Sequence, residues 1–260
     1  MENKLRSKVA VITGGASGIG REICFLFGSE GAKIVVADVN SHALDELSTK
    51  LSELNISHDT QLVDVANENQ VKNLMAVVKN IYGQLDILVN SAGILGPMSK
   101  PIDELSIQDW NQTLGINLVG MSLTMKYAIP LMKMSMGGTI INFASTAGLH
   151  PINGAAPYCV SKSGVIMLTR VAALEFGKFG IRVNAICPDK IDTPMMDLVV
   201  SHLEGSGLSK VRENISAGTV LNRFGTVREV ASIALFLACE EDSSFVTGSS
   251  MLVDGGSTCT

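Results

Sequence analysis

The stretch Val9-Ala10-Val11-Ile12-Thr13-Gly14-Gly15-Ala16-Ser17-Gly18-Ile19-Gly20 decides how this chain folds. Its first five residues are apolar or β-branched and carry no charge, as expected of a strand buried on both faces. Glycines then mark a turn, and helical spacing takes over from about Gly18 to Ser29. Strand, glycine turn and helix in that order aim free backbone N–H groups and the positive helix end at one spot, which suits a pyrophosphate. The spacing is G-x-x-x-G-x-G rather than G-x-G-x-x-G, so the glycines by themselves leave a plain turn open as the alternative.

The same alternation continues along the chain. Lys33–Asp38, Gln61–Val65, Leu85–Asn90, Thr139–Ala144, Arg182–Ile186 and Ser250–Val253 read as further strands. Helices are expected over Ala43–Leu54, Asn67–Tyr82, Asn117–Met134 (where Pro130 can kink it), Ala156–Lys178 and Val227–Ala238, with a helical region around Trp110. Asp189–Gly225 reads as less regular. Nearly uncharged strands between helices predict an α/β fold: a doubly wound parallel sheet of about seven strands, helices on both faces, ligands at the carboxyl ends. No linker, repeat or low-complexity block divides the chain, so residues 1–260 are expected to form a single domain.

Composition narrows the function classes. With 46% hydrophobic and 17% charged residues the chain is too apolar for disorder. A net charge of −5 offers no broad positive face to nucleic acid or to a membrane surface. No apolar run reaches membrane-spanning length, and the N-terminal residues before Val9 do not build a signal-peptide core. Five widely spaced cysteines without a C-x-x-C suggest reduced thiols, and four histidines show no ligand spacing. A cytoplasmic protein without a metal centre is the expectation.

Three features carry chemistry. Asp38 closes the second strand 18 residues after Gly20, where an acidic side chain can accept hydrogen bonds from ribose hydroxyls. A carboxylate there repels a 2′-phosphate, which favours NAD(H) over NADP(H). Tyr158 and Lys162 stand four apart at the start of a helix and share a face. A phenol ionises near pH 10, too high for a base at neutrality, and a nearby ammonium lowers that value. Ser145, at the end of the preceding strand, adds a neutral hydroxyl able to hold a substrate oxygen.

Thr13-Gly14-Gly15-Ala16-Ser17-Gly18-Ile19-Gly20, Asp38, Asn90-Ser91-Ala92-Gly93, Asn117, Ser145 and Tyr158-Cys159-Val160-Ser161-Lys162 together resemble the short-chain dehydrogenase/reductase family, with its Rossmann-like fold. The resemblance runs from about residue 5 to Asp254-Gly255-Gly256. It implies Tyr158 as general acid/base, Ser145 as the group orienting the substrate oxygen, and Lys162 as the holder of nicotinamide-ribose hydroxyls. Asn117 would hold a water in a proton relay. Gly14, Ser17, Gly18, Ile19 and Gly20 would form the phosphate turn. Asp64 and Val65 would meet adenine, Asn90, Ala92 and Gly93 the adenosine ribose, and Pro188, Ile191 and Thr193 the nicotinamide side.

Two positions depart from the family pattern. Ser91 replaces the usual Asn, a small polar exchange. Pro188-Asp189 stands where Pro-Gly is usual, adding charge and bulk beside the nicotinamide and implying a shifted pocket with weakened or altered cofactor binding.

Residues 189–225 fall where the family has a substrate lid. Met195, Met196, Leu198, Val199, Val200 and Leu203 make an apolar stretch, and Gly205-Ser206-Gly207 is a candidate hinge. With Leu95, Met98, Leu149 and Ile152 they suggest an apolar pocket for a lipophilic secondary alcohol or ketone, such as a terpenoid, steroid or cyclic alcohol. Lys190, Lys210 and Arg212 are the cations within reach of a carboxylate. The rival expectations are an NADPH-linked 3-oxoacyl-thioester reductase and a cofactor-bound isomerase, cyclase or binding protein without redox turnover. The resemblance also implies a homotetramer or homodimer, packed through the helices around Asn117–Met134 and Ala156–Lys178.

Overall fold

β1 (Val9–Thr13) is buried along its whole length and lies between β2 (Lys33–Asp38) and β4 (Ile87–Asn90), parallel to both. The computed structural model describes residues 3–202 and 208–259. Among the described residues seven strands form one parallel sheet in the order β3-β2-β1-β4-β5-β6-β7, with β3 at His58–Leu62, β5 at Gly138–Phe143, β6 at Ile181–Pro188 and β7 at Ser250–Val253. The chain winds outward from β1 to β3, then returns to β4 on the other side of β1. That reversal opens a crevice at the carboxyl ends of β1 and β4, the place where such sheets bind ligands.

Period-two alternation sorts each strand between two cores. Val9 and Val11 of β1 face one layer, packed with α3 (Glu68–Tyr82), α5 (Met121–Met134) and α6 (Ala156–Phe176). Ala10 and Ile12 face the other, packed with α1 (Gly18–Ser29), α2 (Ser41–Glu53) and α9 (Val227–Ala238). The helix starts are specified locally. Asn40 and Asn67 accept backbone N–H groups at the heads of α2 and α3, and Thr226 with Glu229 forms a capping box on α9.

Four expectations need correction. The third strand is His58–Leu62, not Gln61–Val65. β3 pairs only with β2 at the sheet edge, so it lacks an apolar run; Val63 and Val65, which carried the apolar signal, are buried just beyond it. The helix expected from Asn117 is α4 (Ile107–Leu114), then a π-helical turn over Gly115–Gly120, then α5. Residues 189–225 are more regular than expected, holding α7 (Pro194–His202) and α8 (Leu208–Ala217). The helix after Tyr158 ends at Phe176, followed by a short 3-10 turn. Leu203 and the Gly205-Ser206-Gly207 hinge lie outside the described residues. A short α10 (Glu240–Ser243) precedes β7. Among the described residues no helix is long and apolar enough to cross a membrane, and no group of side chains has the makings of a metal site.

Candidate active site

A cleft of about 520 Å³ runs along the carboxyl ends of the strands. Gly14, Ser17, Gly18, Ile19, Asp38, Asp64 and Val65 line one end. Ala92, Gly93, Ser145, Tyr158, Lys162, Pro188 and Asp189 line its middle, and Leu95, Met98, Ile152, Met195, Met196 and Val199 its far end, with Ile191 and Thr193 between.

The first end has the properties of an anion and diol site. Gly18 takes φ +51, a conformation few side chains tolerate, where the chain turns into α1. Ser17 makes no side-chain cap, and the first turn of α1 carries no acidic residue, so its leading N–H groups face the cleft without a side-chain acceptor. Asp38 ties this turn to the tip of β2: one carboxylate oxygen accepts the Ala16 N–H at 3.0 Å and the other the Asn40 N–H at 3.0 Å. Each oxygen keeps a lone pair for a hydroxyl. Gly14 lies so close to the β4 loop that a Cβ there would sit 2.7 Å from the Ala92 Cα.

The middle holds the reactive set. Pro157 opens α6, putting Tyr158 in its first turn and Lys162 one turn later on the same face. Ser145 ends β5's run, accepts the Ala147 N–H at 3.1 Å and donates to the Pro188 carbonyl at 3.4 Å. Gly148 makes this proximity possible, because a Cβ there would lie 2.7 Å from the Lys162 carbonyl carbon. Lys162 is buried, and its Nζ donates to the Phe143 carbonyl at 2.8 Å. Burial lowers its pKa to about 8, against a smaller opposing influence from Cys187. A buried ammonium with two further N–H donors and no carboxylate beside it is built to receive oxygen ligands.

Tyr158 departs from the expectation for it. Burial pushes its phenol above the ordinary value; a hydrogen bond with Ser145 works downward, and Cys159 and Asp189 add to the rise. In the free protein the net push on the Tyr158 phenol is therefore upward. The Lys162 ammonium stands 5.7 Å from the ring centre.

Asn117 is fully buried within the π-helical turn. Its Oδ1 accepts the Ile94 N–H at 2.8 Å, and its Nδ2 donates to the Ile94 carbonyl at 2.9 Å and to Ser161 Oγ at 3.1 Å. Both amide hydrogens are thus committed to fixing the β4 loop against α6. A water at Asn117 has the remaining Oδ1 lone pair or a backbone carbonyl loosened by the wider turn.

Several sequence-based assignments move. Asn90 is buried behind the cleft: its Nδ2 donates to Asn142 Oδ1 at 2.9 Å and its Oδ1 accepts from Thr124 at 2.6 Å. With Asn142 donating to Thr169 at 3.0 Å, this network pins β4, β5, α5 and α6 together. Gly20 packs under the turn against Gly14 rather than lining the cleft. Leu149 and Leu198 are exposed and do not line it. Lys190 and Arg212 are already engaged: Lys190 donates to the Gly218 carbonyl at 2.7 Å, and Arg212 bridges Asp192 and Asp197. The described residues say nothing of the Lys210 side chain. Asp189 sits without a positive φ, so the backbone here does not need glycine.

Ile94, Ser161, Thr146 and Phe143 were missed. Each acts through backbone or through a neighbour of a recognised residue, and only their adjacency to Gly93, Lys162, Ser145 and the β5 tip could have marked them.

The chain resembles known proteins across nearly its full length. The profile of the family described as Enoyl-(Acyl carrier protein) reductase matches residues 14–258. The chain is 35% identical to 3-oxoacyl-(acyl-carrier-protein) reductase FabG of Thermotoga maritima, covering 97% of this chain and 98% of the relative. It is 34% identical to cyclohexanol dehydrogenase of an Acinetobacter strain, covering 99% and 98%. A crystal structure of levodione reductase superposes with a TM-score of 0.95 at 31% identity, covering 98% of this chain and 99% of that one.

Proposed function

The chain belongs to the short-chain dehydrogenase/reductase family of oxidoreductases, and we propose that it is the NAD-dependent kind, working between a lipophilic secondary alcohol and its ketone. One observation carries this: Ser145, Tyr158 and Lys162 line the same cleft as Asp38 and the uncapped start of α1.

The residues fit a nicotinamide dinucleotide. The α1 turn would take the pyrophosphate, Asp38 the adenosine ribose hydroxyls, and Asp64, Val65, Ala92 and Gly93 the adenine side. Lys162 would hold the second ribose through its free donors. The cofactor, when bound, supplies the hydride acceptor or donor. Ser145 Oγ holds the substrate oxygen; the Tyr158 phenol gives that oxygen its proton in ketone reduction, and the phenolate takes it back in alcohol oxidation. Asn117 keeps the β4 loop and α6 in register, and a water there would link Lys162 to solvent. The Asp38 carboxylate would repel a 2′-phosphate, which supports NAD(H).

Leu95, Met98, Ile152, Met195, Met196 and Val199 form an apolar wall opposite the reactive set, in favour of a cyclic or terpenoid-like alcohol over a sugar. The name of the Acinetobacter relative points the same way. Residues 189–225 would act as the lid, with α7 and α8 joined by Arg212. The continuous sheet supports one domain over 1–260. Exposed Val160, Met167, Val171 and Leu174 along α6 support a homotetramer or homodimer.

A second reading, reduction of a 3-oxoacyl thioester with NADPH, is favoured by the name of the Thermotoga relative. Asp38 and the engaged Lys190 and Arg212 weigh against it. Purified protein incubated with NAD+ and a panel of cyclic secondary alcohols should form NADH, read by absorbance. No NADH, with NADPH consumed on an acyl thioester, would establish the second reading instead.

A further inference from the structure

Asp189 places a carboxylate in the middle of the cleft, away from the Asp38 and Asp64 end, among Ser145, Tyr158 and Lys162, whose side chains are neutral or cationic. It follows Pro188 at the carboxyl end of β6 and lines the same wall as Ser145 and Tyr158. Its carboxylate is fixed from two sides: Oδ1 accepts the Thr146 hydroxyl at 2.9 Å, and Oδ2 stands 3.5 Å from Lys190 Nζ. The backbone holds it too, because the Asp189 N–H donates to the Val253 carbonyl and its own carbonyl accepts the Ile191 N–H at 3.0 Å. The side chain is only 20% exposed, so water screens its charge weakly.

Hydride and proton leave one carbinol group. Its oxygen must reach Ser145 and Tyr158, so the ring exchanging hydride with its carbon must lie against that carbon, in the part of the cleft that Asp189 lines. The oxidised nicotinamide ring carries a positive charge and the reduced ring none. A fixed carboxylate nearby therefore acts on one redox state and not on the other.

We propose that Asp189 makes this cleft discriminate between the two redox states of its cofactor, holding the oxidised form more tightly relative to the reduced form than a neutral residue would. The inference rests on the cleft being a nicotinamide dinucleotide site. The charges that bear on the same ring are Lys190, which pairs with Asp189 and partly offsets it, and the buried Lys162 ammonium, which opposes it. Asp189 is the anion of this group, and its influence already reaches the Tyr158 phenol. Burial is the main cause of the upward push on Tyr158 and Asp189 adds to it, so both act in the direction of accepting a ketone and holding the oxidised cofactor afterwards. The residue selects the direction of the on-enzyme equilibrium; it takes no part in the bond changes.

The test is equilibrium binding of NAD+, NADH and ADP-ribose to the full-length protein, by calorimetry or fluorescence. Wild type is compared with Asp189→Asn and Lys190→Gln. In Asp189→Asn the ratio of the NADH to the NAD+ dissociation constant should fall by about three- to tenfold. ADP-ribose, which lacks the ring, should bind as before. In Lys190→Gln the ratio should move the other way, which a purely structural role would not produce. An unchanged ratio in Asp189→Asn, or a loss shared equally by ADP-ribose, overturns the proposal. If neither NAD+ nor NADH binds, the NAD assignment fails, and the same ratio is read with NADP+ and NADPH.

Discussion

The Lys162 ammonium stands 5.7 Å from the centre of the Tyr158 ring, both side chains buried on one face of α6. Neither neutralises the other in the free protein. Burial raises the Tyr158 pKa and lowers that of Lys162 to about 8, so each is moved towards its uncharged form.

The first consequence is spectroscopic. Desolvation penalises the phenolate, so Tyr158 should ionise above its ordinary value of 10 in the cofactor-free protein. An ultraviolet difference titration against Tyr158→Phe measures this. Phenolate at neutral pH would contradict it. A bound cationic ring should move the ionisation downward.

The second concerns stability. Lys162 loses its proton at a lower pH when folded than when unfolded, from 10.5 down to about 8. Between those values the unfolded chain binds more protons, so folding stability rises with pH across that window. The shift corresponds to roughly 3 kcal/mol against folding at neutral pH. Lys162→Met removes that cost and loses one hydrogen bond to Phe143, worth about 1 kcal/mol. The variant should melt a few degrees higher than wild type at pH 7, lose activity, and show no rise in stability between pH 8 and 10.5.

Removing the proton-handling groups should separate chemistry from binding. Tyr158→Phe should lower kcat about a hundred- to ten-thousand-fold and Ser145→Ala about a hundredfold or more, with NADH affinity within a few-fold of wild type. Steady-state kinetics beside NADH titration checks both. Retained turnover in Tyr158→Phe would remove Tyr158 from the reaction.

Arg212 donates to Asp197 at 2.7 Å and also contacts Asp192, linking α8 to α7 and the loop before it. The pair is partly exposed, so Arg212→Ala should cost under about 1 kcal/mol in global stability. If the segment is a lid, substrate KM should rise several-fold and limited proteolysis near α7 should quicken. An unchanged KM would mean that these helices do not close over substrate.

Much of this was legible in sequence, for physical reasons. β1 and the glycine turn combine an uncharged run with residues that can take unusual backbone angles, so strand, turn and helix start were found where they form. Tyr158 and Lys162 could be paired because helical spacing fixes which residues share a face, and Ser145 joined them because it follows the preceding strand at its carboxyl end. β3 was misplaced because the apolarity of Val63 and Val65 belongs to the cleft, not to the strand. Asn90 was assigned to the cofactor because its buried partners Asn142 and Thr124 are distant in sequence. The upward push on Tyr158 was also invisible, since it depends on how much water the folded chain removes and not on which residue stands four positions away.

The most direct measurement is kcat/KM for NAD+ and for NADP+ with a cyclic secondary alcohol, in wild type and in Asp38→Ala. NAD+ should be preferred by at least tenfold in wild type, consistent with an anion facing a phosphate across a few ångströms, and Asp38→Ala should narrow that gap mainly by improving NADP+. Equal use of both cofactors by wild type, or a preference for NADP+ with acyl thioesters alone turned over, would contradict both the cofactor and the substrate assignments.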